Sequence, residues 1–110
     1  MQQEPSAAPA LKRAIGHAGN PPGQGPFMRV TLVAEGGVIR EASYETYQCP
    51  GCVACGQAMV AMTSGKTLQE AGAIRHDDLV LRVGPLPRHR QICYGLTLFA
   101  LDEALKKLIG

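Results

Sequence analysis

The alternation of apolar and polar positions is clearest between residues 27 and 34. Met28, Val30, Leu32 and Ala34 interleave with Phe27, Arg29, Thr31 and Val33, the two-residue period of a strand with one buried face. With the run VIREASYETYQ that follows Gly36-Gly37, this predicts two strands joined by a tight hairpin. The glycine pair supplies the positive φ that such a turn requires. Toward the C-terminus the period lengthens. Tyr94, Leu98, Leu101, Leu105 and Leu108 share one face at helical spacing, which predicts a helix from about Gln91 to Leu108. The segment after Cys49 reads as another helix, because Pro50 suits a first helical position and Gly65 a C-terminal stop. Thr67 and Glu70 have capping-box spacing and open a short helix to about Gly72. Asp77 or Asp78 is expected to cap a further turn ending before Gly84-Pro85, with GPLPRHRQ as a loop.

Ahead of the hairpin the signals are sparser. Leu11 and Ile15 are four residues apart, which predicts a short helix over about 9–18. Gly and Pro then make 19–26 a loop. Residues 1–9 are polar, small and proline-containing and are expected to be disordered, with 10–110 forming a single domain. The order of elements predicts an α+β class: a small antiparallel sheet, built on the hairpin, packed against several helices.

Composition narrows the function. With 45% hydrophobic and 18% charged residues, a net charge of +2 and no tryptophan, nothing argues for nucleic acid, which asks for a basic footprint and aromatic platforms. No stretch approaches the roughly 20 apolar residues of a membrane span. The opening MQQEPSAAPALKRAIGHAG lacks a basic stretch followed by an apolar one, so no secretory leader is expected. These points favour the cytoplasm, where clustered cysteines are more often metal ligands or redox thiols than structural disulfides.

The chain has four cysteines. Cys49, Cys52 and Cys55 form a continuous C-x-x-C-x-x-C run, and Cys93 is the distant partner. Structural zinc usually takes two separated pairs, whereas three close cysteines with a remote fourth look more like an iron–sulfur arrangement. A zinc site using all four, a reversible Cys49–Cys52 disulfide, and a buried cysteine with no ligand role (Cys55 first) remain open. Cys49 at the start of one helix and Cys93 at the start of another would both meet unpaired amides and a positive dipole end, which favour thiolate. His17, His76 and His89 read as surface residues rather than ligands, His89 being the nearest to a candidate because it lies four residues before Cys93. No nucleophile–base pair, phosphate loop or carboxylate dyad stands out, so the chain is not expected to be an enzyme.

With the cysteines placed, the chain resembles the IscU/NifU N-terminal family of iron–sulfur cluster assembly scaffolds, from about Ile15 to Leu108. IGHAGNPPG is similar to that family's His-x-x-x-Pro segment, and MRVTLVAEGGVIREASYETYQC to its strand pair leading into a cysteine, here Cys49. SGKTLQEA is similar to its Gly-Lys-Thr-Leu-x-Glu-Ala, and CYGLTLFALDEALKKL to its last cysteine and long final helix. The resemblance implies a two-layer SufE/NifU-like fold and a bound cluster, [2Fe–2S] or [4Fe–4S]. It also implies a cysteine desulfurase as sulfur donor and apo iron–sulfur proteins as recipients. Oligomeric state is left open by the sequence, a homo-oligomer being one arrangement, since an exposed cysteine cluster near a helix end would suit a dimer contact. Gln24-Gly25-Pro26 stands where the family has Cys-Gly-Asp, and Ile92-Cys93 where it has His-Cys. LPRHRQ matches its Leu-Pro-Pro-Val-Lys segment only loosely. Cys49 and Cys93 therefore correspond to family cysteines, while Cys52 and Cys55 are additions. Cysteine ligation at Cys49, Cys52, Cys55 and Cys93, by a cluster or alternatively by zinc, would hold its metal more firmly than a mixed Cys/Asp/His set.

Overall fold

The computed structural model describes residues 11–109; the disorder expected over 1–9 lies outside them. The hairpin forms as the alternation predicts. β2 (Phe27–Glu35) and β3 (Val38–Thr46) pair antiparallel around Gly36 and Gly37, whose φ angles are 60° and 80°. Met28, Val30, Leu32 and Ala34 all turn into the core.

The segment expected to be a helix over 9–18 is instead a strand. β1 (Leu11–Gly19) pairs antiparallel with β2 over its whole length, giving a three-stranded sheet in the order β1-β2-β3. The reason lies in which side chains are buried. Leu11 and Ile15, whose spacing suggested a helix, are 65% and 40% exposed, while Ala14, Gly16 and Ala18 are buried at a period of two. Small residues on the inner face let a helix approach the strand closely. A Cβ on Gly16 would stand 2.6 Å from the Ala104 amide nitrogen, and closer still to the Ala100 carbonyl oxygen.

That helix is α4 (Ile92–Ile109), which crosses β1 and β2. Its buried face includes Tyr94, Leu101, Leu105 and Leu108, with Leu98 half-buried, close to the stripe the sequence predicts. The main core lies between this face and the inner side of the sheet. Before it come α1 (Pro50–Thr63), α2 (Leu68–Gly72), α3 (His76–Val83) and a 3-10 turn over Arg88–Arg90 inside the expected loop. The capping box is present at α2. Thr67 Oγ1 accepts from the Glu70 amide at 3.0 Å and Glu70 Oε1 from the Thr67 amide at 2.9 Å. At α3 the first residue before the helix is Arg75, and Asp78 acts from within, accepting from the Arg75 amide at 2.8 Å.

One irregularity orients β3. The register shifts between Val33 and Ala34, so that Val33 faces Glu41 and Ala34 faces Ile39, leaving Arg40 as the extra residue of a bulge. Inward positions therefore switch from Ile39 to Ala42, Tyr44 and Thr46. The Tyr44 ring then lies against α1 at Gly56, where a Cβ would meet the ring at 2.7 Å or less. Thr46, at the far end of β3, comes to the beginning of α1.

Candidate metal centre

Four cysteines surround the place where α1 and α4 begin. Cys49 precedes α1 in extended conformation, with φ −145° and ψ 128°, and Pro50 occupies the first helical turn. Cys52 and Cys55 follow on α1, and Cys93 lies in the first turn of α4. The two helices pack directly on each other. All four side chains are buried and none is in a disulfide.

The sulfurs of Cys49, Cys52 and Cys93 lie within 4.8 Å of one another. Cys55 stands outside that trio, deeper in the same apolar cluster, where its thiol meets the Thr97 hydroxyl. Helical geometry accounts for this. Cys49 precedes the helix, and Cys55 lies three residues beyond Cys52, about 4.5 Å further along α1 and about 60° round it. His76 and His89 are exposed and His17 is half-buried, and none of the three belongs to the cysteine trio.

The thiols are unequal. At Cys49 burial works against the thiolate, but the amides of Cys52 and Gly51, the Cys52 thiol and the Arg90 charge together outweigh it, and the pKa lies below its ordinary value. At Cys52 burial dominates and the pKa rises, despite the Cys93 thiol and the Thr46 hydroxyl beside it; the proximity of Cys49 raises it further. Burial pushes Cys55 up to about 11, with the Cys52 charge adding to it. Cys93 is raised as well, by burial and then by donating to Cys52. Of the three sulfurs that lie together, Cys49 is thus the one whose thiolate is most favoured.

Several neighbours went unnoticed in the sequence. Arg90 Nη1 donates to Cys49 Sγ at 3.0 Å, although RHR reads as a solvated loop. Thr97 is fully buried and donates to the Cys93 carbonyl at 2.8 Å. Thr46 donates to the Phe27 carbonyl at 2.6 Å and also meets Cys52. The only advance signals were position: Arg90 three residues before Cys93 and Thr97 four after it. The loop carrying Gln24-Gly25-Pro26 enters β2 at this same end of the sheet, closed by the Asn20 amide bonding to Pro26 O at 3.0 Å.

This donor set fits a thiophilic metal. Soft thiolates suit zinc and iron–sulfur centres, three are preassembled, and helix starts and Arg90 supply compensating positive charge. Tetrahedral zinc, with Zn–S near 2.3 Å, places its sulfurs about 3.8 Å apart, so the trio is already close to the spacing of a single ion. Leu79 and Tyr94 are buried in the same cluster as the sulfurs, and the partly buried Leu86 packs against it.

Comparison with known proteins places the chain in a family. Residues 3–110 match the NifU-like N terminal domain. The "Iron-sulfur cluster assembly scaffold protein IscU 1" of Archaeoglobus fulgidus is 29% identical over 91 residues, covering 83% of this chain and 59% of that protein. The corresponding IscU of Haemophilus influenzae is 31% identical over 74 residues, covering 64% of this chain and 59% of its own length. The "Bifunctional protein NifU/MnmA" of Rubrobacter xylanophilus is 32% identical over 94 residues, 84% of this chain but 19% of that protein. The chain thus spans less than two thirds of the length of these relatives. With a family match over nearly all its residues, an α+β fold and a buried cysteine centre, this chain belongs to the family of NifU-like N-terminal domains.

Proposed function

We infer that this protein carries an iron–sulfur cluster as cargo and works as a scaffold or carrier in cluster assembly, with residues 10–110 acting as one domain. The observation that carries this reading is the buried trio of Cys49, Cys52 and Cys93, with sulfurs within 4.8 Å of one another, in a NifU-like chain. These three bind the cargo, and Cys55, one turn further along α1, supplies the fourth thiolate. A cluster of either type, [2Fe–2S] or [4Fe–4S], is compatible with that ligand number.

Sulfur arrives from a cysteine desulfurase as a persulfide. A thiolate of this chain, Cys49 or Cys93, attacks the outer sulfur; the S–S bond breaks, and the desulfurase cysteine leaves as thiolate. Recipients are apo iron–sulfur proteins. The protein has no turnover of its own and acts in the cytoplasm, where thiols stay reduced. A homo-oligomer sharing the centre between copies is the alternative assembly.

Anaerobic purification with assay of iron, zinc and acid-labile sulfide, together with the visible spectrum, tests the reading. Iron matched by sulfide supports it, and transfer to an apo-ferredoxin then separates a carrier from a stable cluster protein. A protein without iron, and without sulfide after reconstitution, overturns it.

The sulfur spacing supports one second reading. Thiolates on different irons of a cluster spread wider than thiolates on a single ion, and 4.8 Å or less is near the zinc value. In that reading zinc closes the fold as a structural centre, and metal binding is folding free energy. Zinc near one per chain with no sulfide would establish it.

A further inference from the structure

Arg90 sits where no ligand is needed and yet touches one. We propose that Arg90 is a positioning residue for the metal centre, holding Cys49 in its ligating orientation and offsetting the negative charge of the loaded site. The assignment rests on the reading of the cysteines as metal ligands, whether the cargo is a cluster or a single ion.

Three features of the structure place the guanidinium. The 3-10 turn fixes its backbone, the Arg90 amide donating to the Pro87 carbonyl at 2.8 Å. Its stem lies against the start of α1, Arg90 Cβ being 3.4 Å and Cys93 Sγ 3.6 Å from where a Cβ on Gly51 would stand, which is ordinary packing contact. Its head then reaches Cys49 Sγ at 3.0 Å. Among the described residues, no other cationic side chain is hydrogen-bonded to a cysteine sulfur. The other residues named beside the trio, Leu79, Leu86, Tyr94 and Thr46, carry no charge.

Charge explains why a cation belongs there. Three thiolates on a divalent ion carry one net negative charge, and a fourth thiolate adds another. Burial makes such charge costly unless it is paired and hydrogen-bonded. A guanidinium on the Cys49 sulfur supplies both, and its planar fork keeps the donor directed at the sulfur more firmly than an ammonium would. Outer-shell partners of this kind typically account for about a ten- to hundredfold difference in metal affinity.

The test uses Co2+ as the probe, titrated anaerobically against a competing chelator into the reduced full chain. Its sulfur-to-cobalt charge-transfer band reads thiolate ligation directly. Arg90→Met is expected to weaken Co2+ about ten- to hundredfold and to shift that band, because the hydrogen bond to Cys49 sulfur is lost. Arg90→Lys should recover part of the affinity and Arg90→Gln less. Circular dichroism of each metal-free variant checks that the fold is retained; if Arg90→Met fails to fold, the Lys and Gln variants carry the comparison. Variants with unchanged affinity and an unchanged band overturn the assignment, and so does a wild-type chain that binds no Co2+. A wild-type chain that binds Co2+ but takes up neither iron nor sulfide overturns the cluster reading alone, and the role of Arg90 is then still decided by the Co2+ series.

Discussion

Replacing Gly16 with alanine adds one methyl group at the tightest contact between the sheet and α4. Gly16 has no positive φ, so on backbone grounds alanine should be accepted and should stabilise by about 0.4–1 kcal/mol through the unfolded chain. The packing reverses that sign. The new Cβ would stand 2.6 Å from Ala104 N and 3.0 Å from the Ala100 carbonyl carbon. These are backbone atoms of a helix, which no rotamer change can move aside. Overpacking of this kind costs about 1–3 kcal/mol, and a collision with backbone belongs at the upper end. The net loss should be about 2 kcal/mol, or a fall of roughly 8 °C in the melting temperature for a domain of this size. Gly95→Ala is the matched control, because Gly95 lies on the same helix with nothing within 4 Å of the added carbon. It should raise stability by about 0.8–1 kcal/mol through helix propensity. Thermal unfolding of the reduced, metal-free chain by circular dichroism measures both. If Gly16→Ala is as stable as wild type, the close seating of α4 on β1 is refuted. Because α4 carries Cys93, the same variant should also weaken metal binding.

Two further outcomes are expected. In the reduced, metal-free chain the unfolded state ionises Cys55 near 9.0 while the folded state holds its proton up to about 11, so stability present below pH 9 should fall as pH rises toward 11; chemical denaturation across that range reads it, and Cys55→Ala should flatten the slope. That variant should also keep a divalent ion, because the trio of Cys49, Cys52 and Cys93 is intact, but lose a cluster that needs four thiolates, as metal and sulfide analysis would report.

What the sequence revealed and what it concealed follow from side-chain size and direction. β2 was legible because Met28, Val30 and Leu32 on its inward side are bulky and alternate with the polar Arg29 and Thr31. β1 was not, because its inward residues are Ala14, Gly16 and Ala18 while the conspicuous Leu11 and Ile15 face out. The sequence alone cannot show that α4 needs small partners on that face. The bulge at Arg40 is likewise silent, since a polar residue is unremarkable in a strand, yet it is what turns Tyr44 and Thr46 toward α1. The cysteine run was legible as a metal motif, and helix starts at Cys49 and near Cys93 were expected from Pro50 and the apolar stripe. That Cys55 departs from the trio depends on rotation about α1, and that Arg90 joins it depends on a 3-10 turn inside a segment with no apolar pattern.

The trio draws its sulfurs from both ends of a long excursion of the chain. Cys49 and Cys93 bracket α1, α2, α3 and the 3-10 turn, so an occupied centre ties the two ends of that segment together like a clasp. A link of this kind restricts the open chain far more than the closed one, and the gain is larger for a long loop than for a short one. Cargo that binds only the closed form shifts the balance further. In the carrier role proposed above, handing the cargo over undoes the clasp. The helices between the two cysteines then rest on their packing alone, which makes them the part of the protein whose loosening and whose unloading are a single thermodynamic event.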